Sequence, residues 1–134
     1  MNKIEHIGIA VKNLEASNKL FTSLLGAEPY KMEAVESEGV HTSFFKVGPN
    51  KIELLEGLSK ESPISKFIDK KGEGIHHIAF EVENIEEEIL RLKKEGFTMI
   101  HDAAKKGADN KLIAFLHPKS SNGVLIELCQ EIEK

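Results

Sequence analysis

The opening strand-and-helix pattern of this chain is written twice. Ile4-Glu5-His6-Ile7-Gly8-Ile9-Ala10-Val11-Lys12-Asn13-Leu14-Glu15 aligns with Ile75-His76-His77-Ile78-Ala79-Phe80-Glu81-Val82-Glu83-Asn84-Ile85-Glu86, 71 positions later, and six of the twelve residues are identical. Each half then closes on an apolar run that holds one glutamate, Lys51-Ile52-Glu53-Leu54-Leu55 and Val124-Leu125-Ile126-Glu127-Leu128. Such a repeat means that one supersecondary unit serves twice, and a unit of under about 70 residues is marginal by itself. The expectation is one domain, 1–134. Repeat one covers about 3–56, a connector about 57–72 and repeat two about 73–130.

Within each half the pattern predicts a strand, a helix and further strands. The first strand covers about residues 3 to 11, rich in Ile and Val. Asn13 is placed to cap a helix carrying Leu14, Leu20, Phe21, Leu24 and Leu25 at helical spacing, with Gly26 as its stop. Asn84 opens the second helix in the same way, with Glu87 in the capping-box position and Ile85, Ile89 and Leu92 on the buried face. Thr42–Val47, Gly48-Pro49-Asn50 and Ile52–Leu55 read as a hairpin, matched by Leu112–Leu116, a longer loop and Val124–Leu128. Ser62-Pro63 starts a connector helix carrying Ile64, Phe67 and Ile68 that stops at Gly72.

Side chains alternate across a strand, so parity decides which residues share a face. Ile7, Ile9 and Val11 face the first helix, which turns His6, Gly8 and Ala10 away from it; Ile78, Phe80 and Val82 do the same to His77, Ala79 and Glu81. Glu53 opposes Ile52 and Leu54, and Glu127 opposes Val124, Ile126 and Leu128. Each half therefore offers one His and one Glu on the face its own helices leave uncovered. A lone strand histidine is ordinarily satisfied by hydrogen bonds, and a lone glutamate by solvent. A carboxylate at the same place in both halves, inside an almost wholly apolar strand, is different, because burying it unpaired costs several kcal/mol. If the half-sheets curve into a shared cup, two imidazoles and two carboxylates suit a borderline divalent cation such as Co²⁺, Mn²⁺, Ni²⁺ or Zn²⁺.

Composition narrows the partners. With 18 basic and 22 acidic residues the net charge is −4, the wrong sign for phosphate-backbone binding, so no nucleic-acid partner is expected. No apolar stretch approaches the roughly 20 residues that span a bilayer, so no membrane partner is expected either. Cys129 is the single cysteine and cannot form an intramolecular disulfide. Together with a first segment that runs directly into a strand, this gives the expectation of a cytoplasmic protein.

These residues resemble the vicinal oxygen chelate superfamily, which includes glyoxalase I, extradiol dioxygenases, fosfomycin-resistance proteins and methylmalonyl-CoA epimerases. Nearly the whole chain is similar to the last group. The resemblance rests on His6-Ile7-Gly8-Ile9-Ala10-Val11, Lys51-Ile52-Glu53-Leu54-Leu55, Ser62-Pro63-Ile64-Ser65-Lys66-Phe67 and Gly72-Glu73-Gly74-Ile75-His76-His77-Ile78-Ala79-Phe80-Glu81-Val82. Phe115-Leu116-His117-Pro118-Lys119-Ser120 and Gly123–Leu128 complete it. It implies an α+β fold in which tandem βαβββ repeats form a curved, cup-like mixed sheet. It also implies a divalent metal of cobalt or manganese type, with nickel, zinc or magnesium as alternatives, held by His6, Glu53, His77 and Glu127. Of the adjacent histidines His76 and His77, the family ligand matches the second, in agreement with parity.

The implied reaction interconverts (2R)- and (2S)-methylmalonyl-CoA, an acyl-CoA thioester, by moving the proton alpha to the thioester. Glu127 matches the family's acid/base residue. The partner glutamate of some members falls where this chain has Thr42, a poor base, so a water held by Thr42 is one reading for the second proton carrier. His41 is another, although alternation turns it away from the Thr42 face. Lys105, Lys106, Lys111 and Lys119 are placed on or near the long loop before the last strand and could meet coenzyme A phosphates, and Lys119 and His117 fall in the family's loop beside the active site. Family members are consistent with a homodimer. A glyoxalase I-type lyase acting on a glutathione hemithioacetal, and a non-catalytic small-molecule-binding protein of the same fold, are the competing readings.

Overall fold

Both repeats fold as strand, helix and three strands, with matching strand order. In the computed structural model, which describes residues 1–132, the first repeat comprises β1 (Lys3–Ala10), α1 (Leu14–Leu25), β2 (Lys31–Val35), β3 (Val40–Val47) and β4 (Asn50–Gly57). The connector helix α2 (Pro63–Lys71) leads to β5 (Gly74–Glu81), α3 (Ile85–Lys94), β6 (Lys105–Lys106), β7 (Lys111–Leu116) and β8 (Ile126–Glu131). Contacts group the chain into two compact units, residues 6–76 and residues 77 onward together with 1–5.

In residues 6–76 the strand order is β2-β3-β4-β1, and in the other unit it is β6-β7-β8-β5. The first strand of each repeat pairs parallel with the last, β1 with β4 and β5 with β8, while the remaining pairs are antiparallel. Each half is thus a mixed sheet of the expected βαβββ form. The chain's start belongs with the second repeat, where the Asn2 N–H donates to the Glu81 carbonyl at 2.8 Å.

Local chemistry sets the helix ends where the sequence places them. Asn13 Oδ1 accepts from the Ala16 N–H at 2.9 Å, and Asn84 Oδ1 from the Glu87 N–H at 3.1 Å. Ser62 Oγ accepts from the Ile64 N–H at 3.1 Å, ahead of Pro63 in the first turn of α2. Gly26 takes φ +74°, a left-handed conformation that costs glycine little, and so ends α1.

The helix-facing sides pack as parity requires. Ile9, Val11, Ile52, Leu54 and Phe45 enclose Leu14, Phe21 and Leu25 of α1. Val82, Ala114, Leu116, Ile126 and Leu128 enclose Ile85, Ile89 and Leu92 of α3. Two details differ from the sequence pattern. Leu20 and Leu24 are 65% and 70% exposed, because the stripe of α1 that meets the sheet runs through Leu14, Phe21 and Leu25, about 100° away. Val124 lies outside β8, since the turn at Ser121–Gly123 captures its N–H on the Ser121 carbonyl. Among the described residues no helix is long and apolar enough to cross a membrane.

A second duplicated tie runs from sheet to helix. The Leu14 N–H donates to Glu56 Oε1 and the Ile85 N–H to Gln130 Oε1, each at 2.8 Å. Glu56 and Gln130 stand three residues beyond Glu53 and Glu127, on the opposite strand face, so each holds a helix start against the strand that carries a candidate ligand. Glu56→Ala leaves a partly buried helix N–H without its acceptor and is expected to cost about 1–2 kcal/mol. Urea denaturation measures this. Glu56→Gln keeps an acceptor oxygen and recovers most of the loss; an alanine variant as stable as the parent would refute the tie.

Candidate active site and metal centre

In the unit of residues 6–76, β1 and β4 run side by side with Gly8 in register with Glu53. His6 Nδ1 lies 3.0 Å from Glu53 Oε2, and the two residues are 3% and 6% exposed. The other unit repeats the arrangement. Ala79 is in register with Glu127, and His77 Nε2 lies 3.0 Å from Glu127 Oε1, with the residues 5% and 6% exposed. The pairs differ in the ring nitrogen they present, Nδ1 in one and Nε2 in the other. His76, the neighbour that parity rejects, is half-buried with its ring edge-on to Phe67, centroids 4.9 Å apart.

A carboxylate buried to this degree is tolerable only with a partner, and each has its imidazole. One imidazole nitrogen and one carboxylate oxygen in each unit, both buried, are the donor chemistry of a divalent metal site. Each carboxylate also faces an aromatic side chain across an antiparallel pair: Phe44 is in register with Glu53, and Phe115 with Glu127. Sequence reasoning passed over these phenylalanines. The signal was present, since they are 71 positions apart, the same spacing as His6 and His77.

Thr42 lies two residues from Phe44 on β3 and so shares the strand face of Glu53. It is fully buried, and its Oγ1 has no hydrogen-bond partner among the described residues. The adjacent Ser43 Oγ is in the same condition on the other face. His41 is half-buried opposite Ala34 and Glu56, with its side chain directed away from the Thr42 face.

The downstream loop is tethered rather than loose. His117 Nδ1 accepts from the Lys119 N–H at 3.2 Å, the His117 N–H donates to the Thr98 carbonyl at 2.7 Å, and the Thr98 N–H donates to Ser120 Oγ at 3.2 Å. His117 and Lys119 are exposed. Of the other lysines, Lys106 is exposed and Lys105 half-buried. Lys111 begins β7, is buried, and has its Nζ 3.6 Å from Glu131 Oε1.

Comparison with known proteins places this geometry. The family model of the glyoxalase/bleomycin resistance protein/dioxygenase superfamily matches residues 5–115. An ethylmalonyl-CoA/methylmalonyl-CoA epimerase of Cereibacter sphaeroides is 40% identical, with 97% of this chain and 98% of that protein covered. The mitochondrial methylmalonyl-CoA epimerase of Mus musculus is 38% identical over 97% of this chain and 74% of its own length. A variant of Streptomyces coelicolor methylmalonyl-CoA epimerase, solved in complex with 2-nitronate-propionyl-CoA, is 32% identical with a TM-score of 0.94, covering 98% of this chain and 95% of that one. At that identity and coverage the likeness extends from the fold to the family. The chain belongs to the methylmalonyl-CoA epimerases of the glyoxalase/bleomycin resistance protein/dioxygenase superfamily.

Proposed function

We propose that this chain interconverts (2R)- and (2S)-methylmalonyl-CoA, and that His6, Glu53, His77 and Glu127 together hold one divalent cation, of cobalt or manganese type, at its active site. The observation that carries the reading is the duplicated, buried His–Glu pair, 3.0 Å apart in each unit, in a chain whose relatives are epimerases of this thioester. A bound cation supplies Lewis-acid stabilisation of the negative charge that develops on the thioester oxygen as the α-proton leaves.

The residues of the chain supply the proton transfers. Inversion at one carbon requires removal of a proton from one face and delivery on the other. Glu127 serves one face: its carboxylate is buried beside His77, with Oε1 3.0 Å from the ring nitrogen Nε2. Thr42 serves the other indirectly. A neutral hydroxyl is a poor base at neutral pH, but its buried Oγ1 has free hydrogen-bonding capacity among the described residues and orients a water as the second carrier. Lys119 and His117 contribute to substrate binding from the tethered loop, where the exposed Lys119 is placed to meet an anionic coenzyme A group. The assembly is a homodimer, a reading supported by exposed Leu20, Leu24, Tyr30 and Met32 on the first unit.

The test follows each epimer separately in deuterated water with metal-loaded protein. Both epimers are expected to take up α-deuterium and to equilibrate; a chain that exchanges neither sinks the reading, and turnover of a glutathione hemithioacetal in its place would favour lyase chemistry. Thr42→Ala separates the two carriers. It is expected to slow inversion by about 100-fold while one epimer continues to exchange with retention through Glu127. Unchanged inversion would remove Thr42 from the mechanism.

A further inference from the structure

The β5–β8–β7 order puts Phe115 two strands from His77, a backbone separation of roughly 10 Å. Their rings nevertheless approach to 5.9 Å between centroids at an interplanar angle of 84°. Between them, on β8, stands Glu127, in register with Phe115 and 3.0 Å from His77 Nε2. To close that gap the two rings lean toward one another over the strand that carries Glu127. The phenyl ring is itself held in place, packed against Ala79, Ile113 and Cys129, each at most 4% exposed.

We propose that Phe115 is the positioning residue of the His77–Glu127 half of the metal centre, fixing the plane of the His77 imidazole and keeping water from its contact with the carboxylate. The inference rests on the metal reading given above and adds a residue to it. An edge-to-face contact favours one mutual orientation of two rings, which a merely apolar neighbour does not. Exclusion of water also lowers the local dielectric, which strengthens the attraction of the Glu127 carboxylate for a bound cation. Hydrogen-bonding residues that orient metal ligands commonly account for about 10- to 100-fold in affinity, and a ring contact that fixes the same imidazole plane is expected at the lower end of that range. A leucine at position 115 would keep the apolar packing and lose the planar face.

The experiment compares Phe115→Leu and Phe115→Tyr with the parent chain. Cobalt(II) titration gives the dissociation constant, and nitrogen-15 shifts of the His77 ring are read in metal-free protein. Phe115→Leu is expected to bind cobalt at least about tenfold more weakly, with His77 nitrogen shifts moved toward a tautomeric average. Phe115→Tyr, which keeps the ring, should match the parent in both. Leucine-variant affinity and shifts like those of the parent would overturn the proposal, as would a tyrosine variant as weak as the leucine one. If Phe115→Leu does not fold, Phe115→Met supplies a flexible apolar filler in its place. If the parent takes up no divalent cation, the metal reading fails separately, and the nitrogen shifts alone then decide for or against Phe115.

Discussion

Glu127→Gln is expected to slow epimerisation by about 10³-fold, within the range that a positioned acid or base contributes. Glutamine is nearly the same size and keeps an oxygen that can meet His77 Nε2, now 3.0 Å from Glu127 Oε1. Because Glu127 is also a proposed ligand of the cation, the loss is read at saturating cobalt, and circular dichroism and the unfolding midpoint of the metal-free protein should stay close to those of the parent, which separates it from collapse of the buried pair. What glutamine lacks is a site that accepts and returns a proton near neutral pH. The stereochemistry makes the result specific. Thr42→Ala spares exchange at the face served by Glu127, so Glu127→Gln must abolish exchange in the epimer that Thr42→Ala leaves exchanging. Single-epimer deuterium uptake measures this directly. Loss of exchange in the same epimer from both variants would show that they serve one face and would overturn the division of labour.

Removal of divalent ions is the second large effect. Dialysis against a chelator is expected to lower turnover by at least about 100-fold, corresponding to the several kcal/mol that Lewis-acid stabilisation contributes at about 1.4 kcal/mol per factor of ten. Cobalt or manganese should restore it. The donor chemistry predicts a thermodynamic readout as well, because an ion that binds the folded chain and not the unfolded one raises the unfolding midpoint in proportion to the logarithm of its concentration. In Glu53→Ala that rise should largely vanish, since His6 loses the buried carboxylate 3.0 Å from its Nδ1. Full activity after exhaustive chelation, with no ion detected by elemental measurement, would remove the metal from the account and leave the proton carriers to be tested by themselves.

Much of the candidate site was legible before any coordinates. The duplicated His and Glu, their parity, and the choice of His77 over His76 follow from a strand period of two and an offset of 71 positions. Thr42 was legible as a departure from the family pattern, but its burial and a hydroxyl without a partner among the described residues were not. Phe115 was quoted as part of a motif without a role, because its contact with His77 crosses an intervening strand and has no local sequence signature. Lys111 looked like a loop cation, yet it begins β7 and is buried beside Glu131.

By itself the sequence determined the repeat, the helix boundaries at Asn13, Gly26, Ser62, Gly72 and Asn84, and the face of each strand on which His6, Glu53, His77 and Glu127 lie. These are consequences of hydrogen bonds and periodicities that span a few residues, so neighbouring side chains suffice to specify them. Only the tertiary structure decided that Gly8 stands beside Glu53 and Ala79 beside Glu127, which brings each imidazole within 3.0 Å of its carboxylate. It alone joined Glu56 to the start of α1 and laid the Phe115 ring against His77. Those contacts join residues 38 to 50 positions apart in sequence and depend on the register of their strands, which is set by the packing of whole faces rather than by any local run of residues.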